Sequence, residues 1–260
     1  MGPWRVGKTV LVYQMIQSLL DSGISGTSVL YASLETPVYS KMPLEKILGM
    51  FQIRFVHKRE APLNVFFDEV QYLRDWEIHL KSLVDSYPAC HFVVTGSAAA
   101  ALKLKSRESG AGRFTDFLLP PLTFSEYLDF LSRKEELVQD SGRSIANIDE
   151  LNREFCHYLN FGGYPEAVLS EAVQKDLSQY IKNDIIDKLL LRDLPSLYGI
   201  SIIQELNRLF TTLAYNTGME LSIENLSAGS GVAKNTIRRY LEYLEAAFLI
   251  RGTSGGNGDL

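Results

Sequence analysis

Apolar residues fall into two rhythms along this chain. In the first half, the short β-rich runs SVLYASLE, LNVFFDE and CHFVVTGS are separated by connections long enough for helices. Runs of that kind predict parallel strands covered by helices. Between the second and third runs lies DWEIHLKSLVDSYP, where Trp76, Leu80 and Leu83 recur at helical spacing. Ahead of the first run, VLVYQMIQSLL reads as a helix.

The rhythm changes in ESGAGRFTDFLLPPLTFSEYL, where glycines and prolines interrupt the pattern. A helix then starts at EYLDFL, with Ser125 as its expected N-cap. From there to about Arg251 the pattern is helical. The polar stretch RKEELVQDSGRSIANIDE reads as a solvated linker, and FGGYPEAV as a turn in which Tyr164 and Pro165 form a packed corner and Glu166 is a distant functional candidate. The apolar-dense DIIDKLLLRDLPSLYGISIIQELNRLFTTLAY is the expected core of a helical domain. After it, a helix from Ile223 to about Ala228, a glycine turn and a helix from about Lys234 to Ala247 reproduce a helix-turn-helix. Ile237, Leu241, Leu244 and Phe248 form its expected apolar stripe. The expected organisation is an α/β core over 1–122, a helical domain over 123–215, a helix-turn-helix over 216–252 and a disordered glycine-rich tail over 253–260.

A length of 260 residues allows one large domain or two smaller ones. The net charge of −5 leaves no global basic footprint, so any nucleic-acid contact has to come from a local patch. Cys90 and Cys156 lie far apart without metal-type spacing and read as two ordinary buried thiols in a reducing cytosol, while His57, His79, His91 and His157 show no ligand pattern and read as structural or surface residues. No apolar run approaches the roughly 18 residues of a membrane span, and no signal-peptide pattern opens the chain. A soluble, cytoplasmic protein is expected.

One motif carries explicit chemistry. Gly2-Pro3-Trp4-Arg5-Val6-Gly7-Lys8-Thr9, followed by Val10, satisfies G-x-x-x-x-G-K-[ST]. Its glycines let backbone amides wrap a phosphate chain. Lys8 would reach the β- and γ-phosphates, and the Thr9 hydroxyl would ligate Mg²⁺. The positive end of the following helix adds to anion binding. In VFFDE an apolar strand ends in two acids: Asp68 is the expected second Mg²⁺ ligand and Glu69 the general base. The third run ends in Thr95 and Ser97, which could orient water or sense the γ-phosphate. Arg113, in a loop beyond them, is a candidate arginine finger. In the helix-turn-helix, Lys234, Asn235, Thr236, Arg238 and Arg239 occupy the end at which a recognition helix meets DNA.

GPWRVGKT, FFDEVQYLRDWE, VVTGS, AGRF with LPPLTFSEYL, and FGGYPEAV follow one another in the order and rough spacing of a prokaryotic family. The chain resembles, from Gly2 to about Gly252, the AAA-superfamily ATPases of the extended, STAND-like kind. Members of that family carry a winged-helix segment and a C-terminal region resembling restriction endonucleases. The resemblance implies a P-loop NTPase fold followed by an all-α domain ending in a winged-helix segment. It also implies ATP as the nucleotide, Mg²⁺ as cofactor and ATP hydrolysis as the activity. DNA, a protein partner or a second copy of the chain are the further partners it allows, with no membrane. The sequence departs from the family at both ends. The strand that usually precedes the phosphate loop is absent, and TSGGNGDL stands where a wing and nuclease-like region would follow. These departures read as a fragment, in which Gly2 and Pro3 are expected to fray. They keep open a DNA- or protein-binding adaptor with vestigial nucleotide binding, and a chain without function.

Overall fold

The computed structural model describes residues 1–96, 114–139, 144–145 and 147–252. Ser97, Arg113 and the tail 253–260 lie outside the described residues.

The three β-rich runs form one parallel sheet in the order β1 (Val29–Ser33), β2 (Leu63–Asp68), β3 (Cys90–Val94). β2 is central, and its register sets Leu30 beside Val65, Ser33 beside Asp68 and Phe67 beside Val94. That position explains its sequence. Five of its six residues are buried, so its apolar residues cluster in Val65–Phe67 and do not alternate with polar ones. Helices α2 (Leu44–Phe55) and α3 (Trp76–Ser86) complete this core with Leu44, Leu48, Trp76, Leu80 and Leu83. α1 (Lys8–Asp21) buries only Lys8 and Val12 and leaves Val10, Tyr13 and Leu20 exposed.

Among the described residues β3 pairs with β2 alone. On its other side a groove of about 540 Å³ runs between His91, Phe92 and Val93 of β3 and the segment Phe114–Phe117, with Met1 at one end. There the Gly2 amide donates to the Gly96 carbonyl (3.3 Å) and the Leu119 amide to the Met1 carbonyl (2.8 Å).

The rest of the described chain is helical apart from one small hairpin. The helix Phe124–Phe130 is capped by Thr123 and not by Ser125. The Thr123 hydroxyl accepts from the Glu126 amide while the Glu126 carboxylate accepts from the Thr123 amide, a reciprocal capping box that Ser125, one residue inside the helix, has no geometry to make. The expected polar linker contains a short helix (Lys134–Leu137) and a two-residue-per-strand hairpin pairing Val138 with Ile145. Arg133 ties it to Glu150 and Glu154 on the helix Ile148–Phe161.

A second core runs through the C-terminal helices, from Tyr180, Ile185 and Leu189 to Leu206, Leu209, Ile237 and Leu244. The helices Ile223–Ser230 and Lys234–Ala246 are joined through Gly231, which sits at φ 70. The buried stripe of the latter is Ile237, Tyr240 and Leu244. Phe248 is 40 % exposed because the helix has ended and φ is 59 there, which turns the side chain off the stripe. Trp4, from the phosphate-loop motif, belongs to this helical core and not to the sheet's.

Candidate nucleotide site

Residues 2–7 lead from the sheet into α1. A Cβ at Gly2 would lie 2.3 Å from the Leu119 carbonyl oxygen, so this approach requires glycine. Gly7 (φ 94) and Arg5 (φ 62) both adopt left-handed conformations that curl the loop onto the helix start. Gly7 is the N-cap, and no side chain caps the first turn. The opening amides of α1 are therefore available to an anion, with the helix dipole behind them. Gly2 and Pro3, expected to fray, are buried, and the Gly2 amide is bonded to the Gly96 carbonyl.

Lys8 is 7 % exposed and donates from Nζ to the Pro3 carbonyl (2.8 Å). Its Nζ lies 3.8 Å from Glu69 Oε1 and 6.0 Å from the Trp4 ring. A buried ammonium requires anionic partners, and a phosphate chain in the loop would supply more of them.

Asp68 is buried at the end of β2 and accepts from three hydroxyls. Thr9 Oγ1 (2.8 Å) and Tyr31 OH (3.0 Å) meet its Oδ2, and Thr95 Oγ1 meets its Oδ1. A carboxylate and a threonine hydroxyl this close are hard oxygen donors of the type Mg²⁺ prefers. The residues present fit that ion, and Thr9 and Asp68 would hold it.

Glu69, the next residue, is nearly as buried and adopts φ 57. The two adjacent acids have different partners. The Glu69 amide donates to Thr95 Oγ1 (3.1 Å), and Gln71 Nε2 donates to the Glu69 carboxylate. Burial pushes the Glu69 pKa above the ordinary value, against the opposing pull of Lys8 and Gln71. Thr95 thus links both acids: it accepts from the backbone of one and donates to the carboxylate of the other.

Lys8, Thr9, Asp68, Glu69 and Thr95 come together around the loop, from three separate parts of the sequence. Val10 points outward from α1, 57 % exposed. In the helix-turn-helix, Asn235, Arg238 and Arg239 are exposed and Thr236 is half-buried. Lys234 Nζ donates to Glu224 Oε1 (2.7 Å) and Arg238 Nη1 to Asn235 Oδ1 (3.2 Å).

Sequence reasoning missed four contacts of the site. Tyr31 lies on β1 beside Phe66, and no motif marks it, because its reach to Asp68 depends on strand register. Burial, with help from the hydroxyl of Tyr13 and from Asp68, raises its pKa and keeps it a hydroxyl donor. Gln71 follows Glu69 by two residues, a spacing with no intrinsic signal. The third and fourth are the outward-turned side chains of Trp4 and Arg5. Trp4 Nε1 donates to buried Asp193 Oδ2 (2.6 Å), and Arg5 pairs with Glu166 (2.8 Å) and Asp184 (3.1 Å).

Residues 1–128 match a family described as an AAA domain, and residues 152–257 match a domain of unknown function (DUF8612). An uncharacterized protein of Haemophilus influenzae is 27% identical over 254 residues, covering 95% of this chain and 60% of its own length. One from Methanocaldococcus jannaschii is 26% identical, covering 96% of this chain and 54% of its own. The chain thus spans little more than half the length of these relatives. A Thermotoga maritima RuvB Holliday junction branch migration motor overlays on 95% of this chain and 78% of its own, with 20% identity and a TM-score of 0.43. Residues 1–128 are thus similar to an AAA domain, and the loop, lysine and acids assembled there are the features such a domain would use.

Proposed function

We propose that the protein binds ATP with Mg²⁺ and hydrolyses it, and that nucleotide occupancy sets the placement of its helical half. The observation that carries this reading is the convergence of Lys8, Thr9, Asp68, Glu69 and Thr95 on the uncapped start of α1. The loop amides and Lys8 clamp the phosphates. Thr9 and Asp68 hold the Mg²⁺, which when bound neutralises charge between the phosphates. Glu69, raised in pKa by burial yet beside Lys8, accepts the proton of the attacking water. Thr95, bonded to both acids, orients them and senses the terminal phosphate. Ser97 and the candidate finger Arg113 keep the roles expected from sequence.

Equilibrium binding of ATP with Mg²⁺ to wild type and to Lys8→Ala tests the first step. A loss of at least tenfold is expected. Equal affinity would remove Lys8 from the site and favour the adaptor, in which nucleotide binding is vestigial.

One observation supports an added DNA-binding role. Asn235, Arg238 and Arg239 are exposed together on the first turns of a helix that follows a tight turn. If they touch phosphates, an R238A/R239A variant should lose duplex affinity about uniformly across sequences, with a shallower salt dependence by about two. Unchanged binding would leave that surface to a protein partner or a second copy of the chain.

A further inference from the structure

The contacts of Trp4 and Arg5 carry a consequence beyond phosphate binding. In a loop that only cradles phosphates, the intervening side chains have no required partners. Here both are engaged, and both by the helical half. The Trp4 indole is 8 % exposed, sits in the core formed by Tyr180, Leu189 and Leu194, and donates to an aspartate that is 2 % exposed. Lys188 Nζ covers its ring at 5.4 Å. One residue on, the Arg5 guanidinium lies between Glu166 and Asp184 with the Tyr180 ring 5.7 Å away. Tyr180 OH in turn donates to Glu166 (3.2 Å), and Lys188 Nζ to Asp184 (2.9 Å). The FGGYPEAV turn contributes directly, because Pro165 starts a helix whose next residue, Glu166, reaches the loop.

The segments that supply these partners have an unusual backbone. Asp184 lies in a π-helical turn (Ile181–Ile186) and Asp193 in another (Leu189–Asp193). Wide turns of this kind are rare and recur where a helix has to place particular side chains. Ion pairs that are a third exposed contribute little one at a time. Two carboxylates on one guanidinium, beside a buried indole bond, fix a direction as well as a distance.

We propose that Asp193, Glu166 and Asp184 are positioning residues for the phosphate loop, holding Trp4 and Arg5 so that loop shape and the placement of residues 165–193 respond together to nucleotide. This deepens the ATP-binding reading and rests on it for its functional consequence. Coupling of this kind is reciprocal: whatever moves residues 165–193 changes nucleotide affinity, and nucleotide changes their mobility.

The test compares wild type with an E166Q/D184N variant, which keeps side-chain shape and removes both charges facing Arg5. Amide hydrogen exchange of residues 2–9 is measured first without nucleotide. Exchange at least threefold faster in the variant is expected, with the helix 234–246 unchanged. A non-hydrolysable ATP analogue with Mg²⁺ is then titrated. A three- to tenfold weaker Kd is expected, and in turnover a raised KM with kcat within twofold. Asp193→Ala should act in the same direction, while Asp193→Asn, which keeps an acceptor for the Trp4 N–H, should behave as wild type. Should Asp193→Ala fail to fold, the milder double variant still decides the question. Loop exchange equal to wild type in that variant overturns the proposal. Failure of wild type to bind the analogue would instead overturn the ATP reading, while the nucleotide-free exchange still judges the anchors.

Discussion

The chemistry of this chain rests on a few side chains whose burial does more than their identity. Glu69 and Asp68 are adjacent carboxylates, yet one accepts from three hydroxyls and the other faces an ammonium and an amide. Glu69 takes a left-handed φ, and sequence offers no sign of it beyond the pair DE. Asp193 shows the same dependence on surroundings. Burial raises its pKa from 3.8 to about 6, with Trp4 opposing and Glu69 adding to the rise. A carboxyl raised on folding contributes stability that is complete below its unfolded value and disappears as pH climbs through the folded one. Wild type is therefore expected to lose on the order of 2 kcal/mol from this group between pH 4 and pH 7. In Asp193→Asn that component should vanish, flattening the dependence of Tm on pH over the interval. An identical slope in both proteins would refute the assignment. Thr95 offers a sharper check on the site. Thr95→Val keeps shape but removes the hydroxyl joining both acids, and should lower turnover at least tenfold while analogue binding stays within about threefold.

Among the elements, the strands and the helix-turn-helix were legible because burial imposes a period on the sequence. β2 is buried on both faces and carries a mostly apolar run, and the helices around Gly231 begin and end within two residues of their expected bounds. Contacts set by tertiary packing were not legible. Thr123 caps its helix through Glu126, and no local rule excluded Ser125 until the start of the helix was fixed. Tyr31 enters the site through register, and Glu166 through a helix that approaches the loop from 161 residues away. The groove beside β3 belongs here as well. It is lined by β3 and the segment Phe114–Phe117, and the Met1–Gly2 end already bonds to both sides. Adding five or six apolar, β-prone residues ahead of Met1 should fill it and tighten ATP binding, as read by Kd and by a higher Tm. Unchanged values would show that the groove does not limit the loop.

Across the whole molecule, two apolar cores meet at the phosphate loop. The sheet core holds the acids, and the helical core holds Trp4. The loop therefore bridges the sheet core and the helical core. Nothing in the sequence pattern alone placed Trp4 in the second core, since an aromatic inside a phosphate-loop motif has no periodicity to read. The relatives extend well beyond the length matched here. The measurement that bears most directly on the central claim is Mg²⁺-dependent ATP turnover by wild type and Glu69→Gln. Release of phosphate by wild type, a fall of at least a hundredfold in the variant and analogue affinity retained in both are the predicted results. Equal turnover in the two proteins, or none in wild type that binds ATP with Mg²⁺, would contradict it.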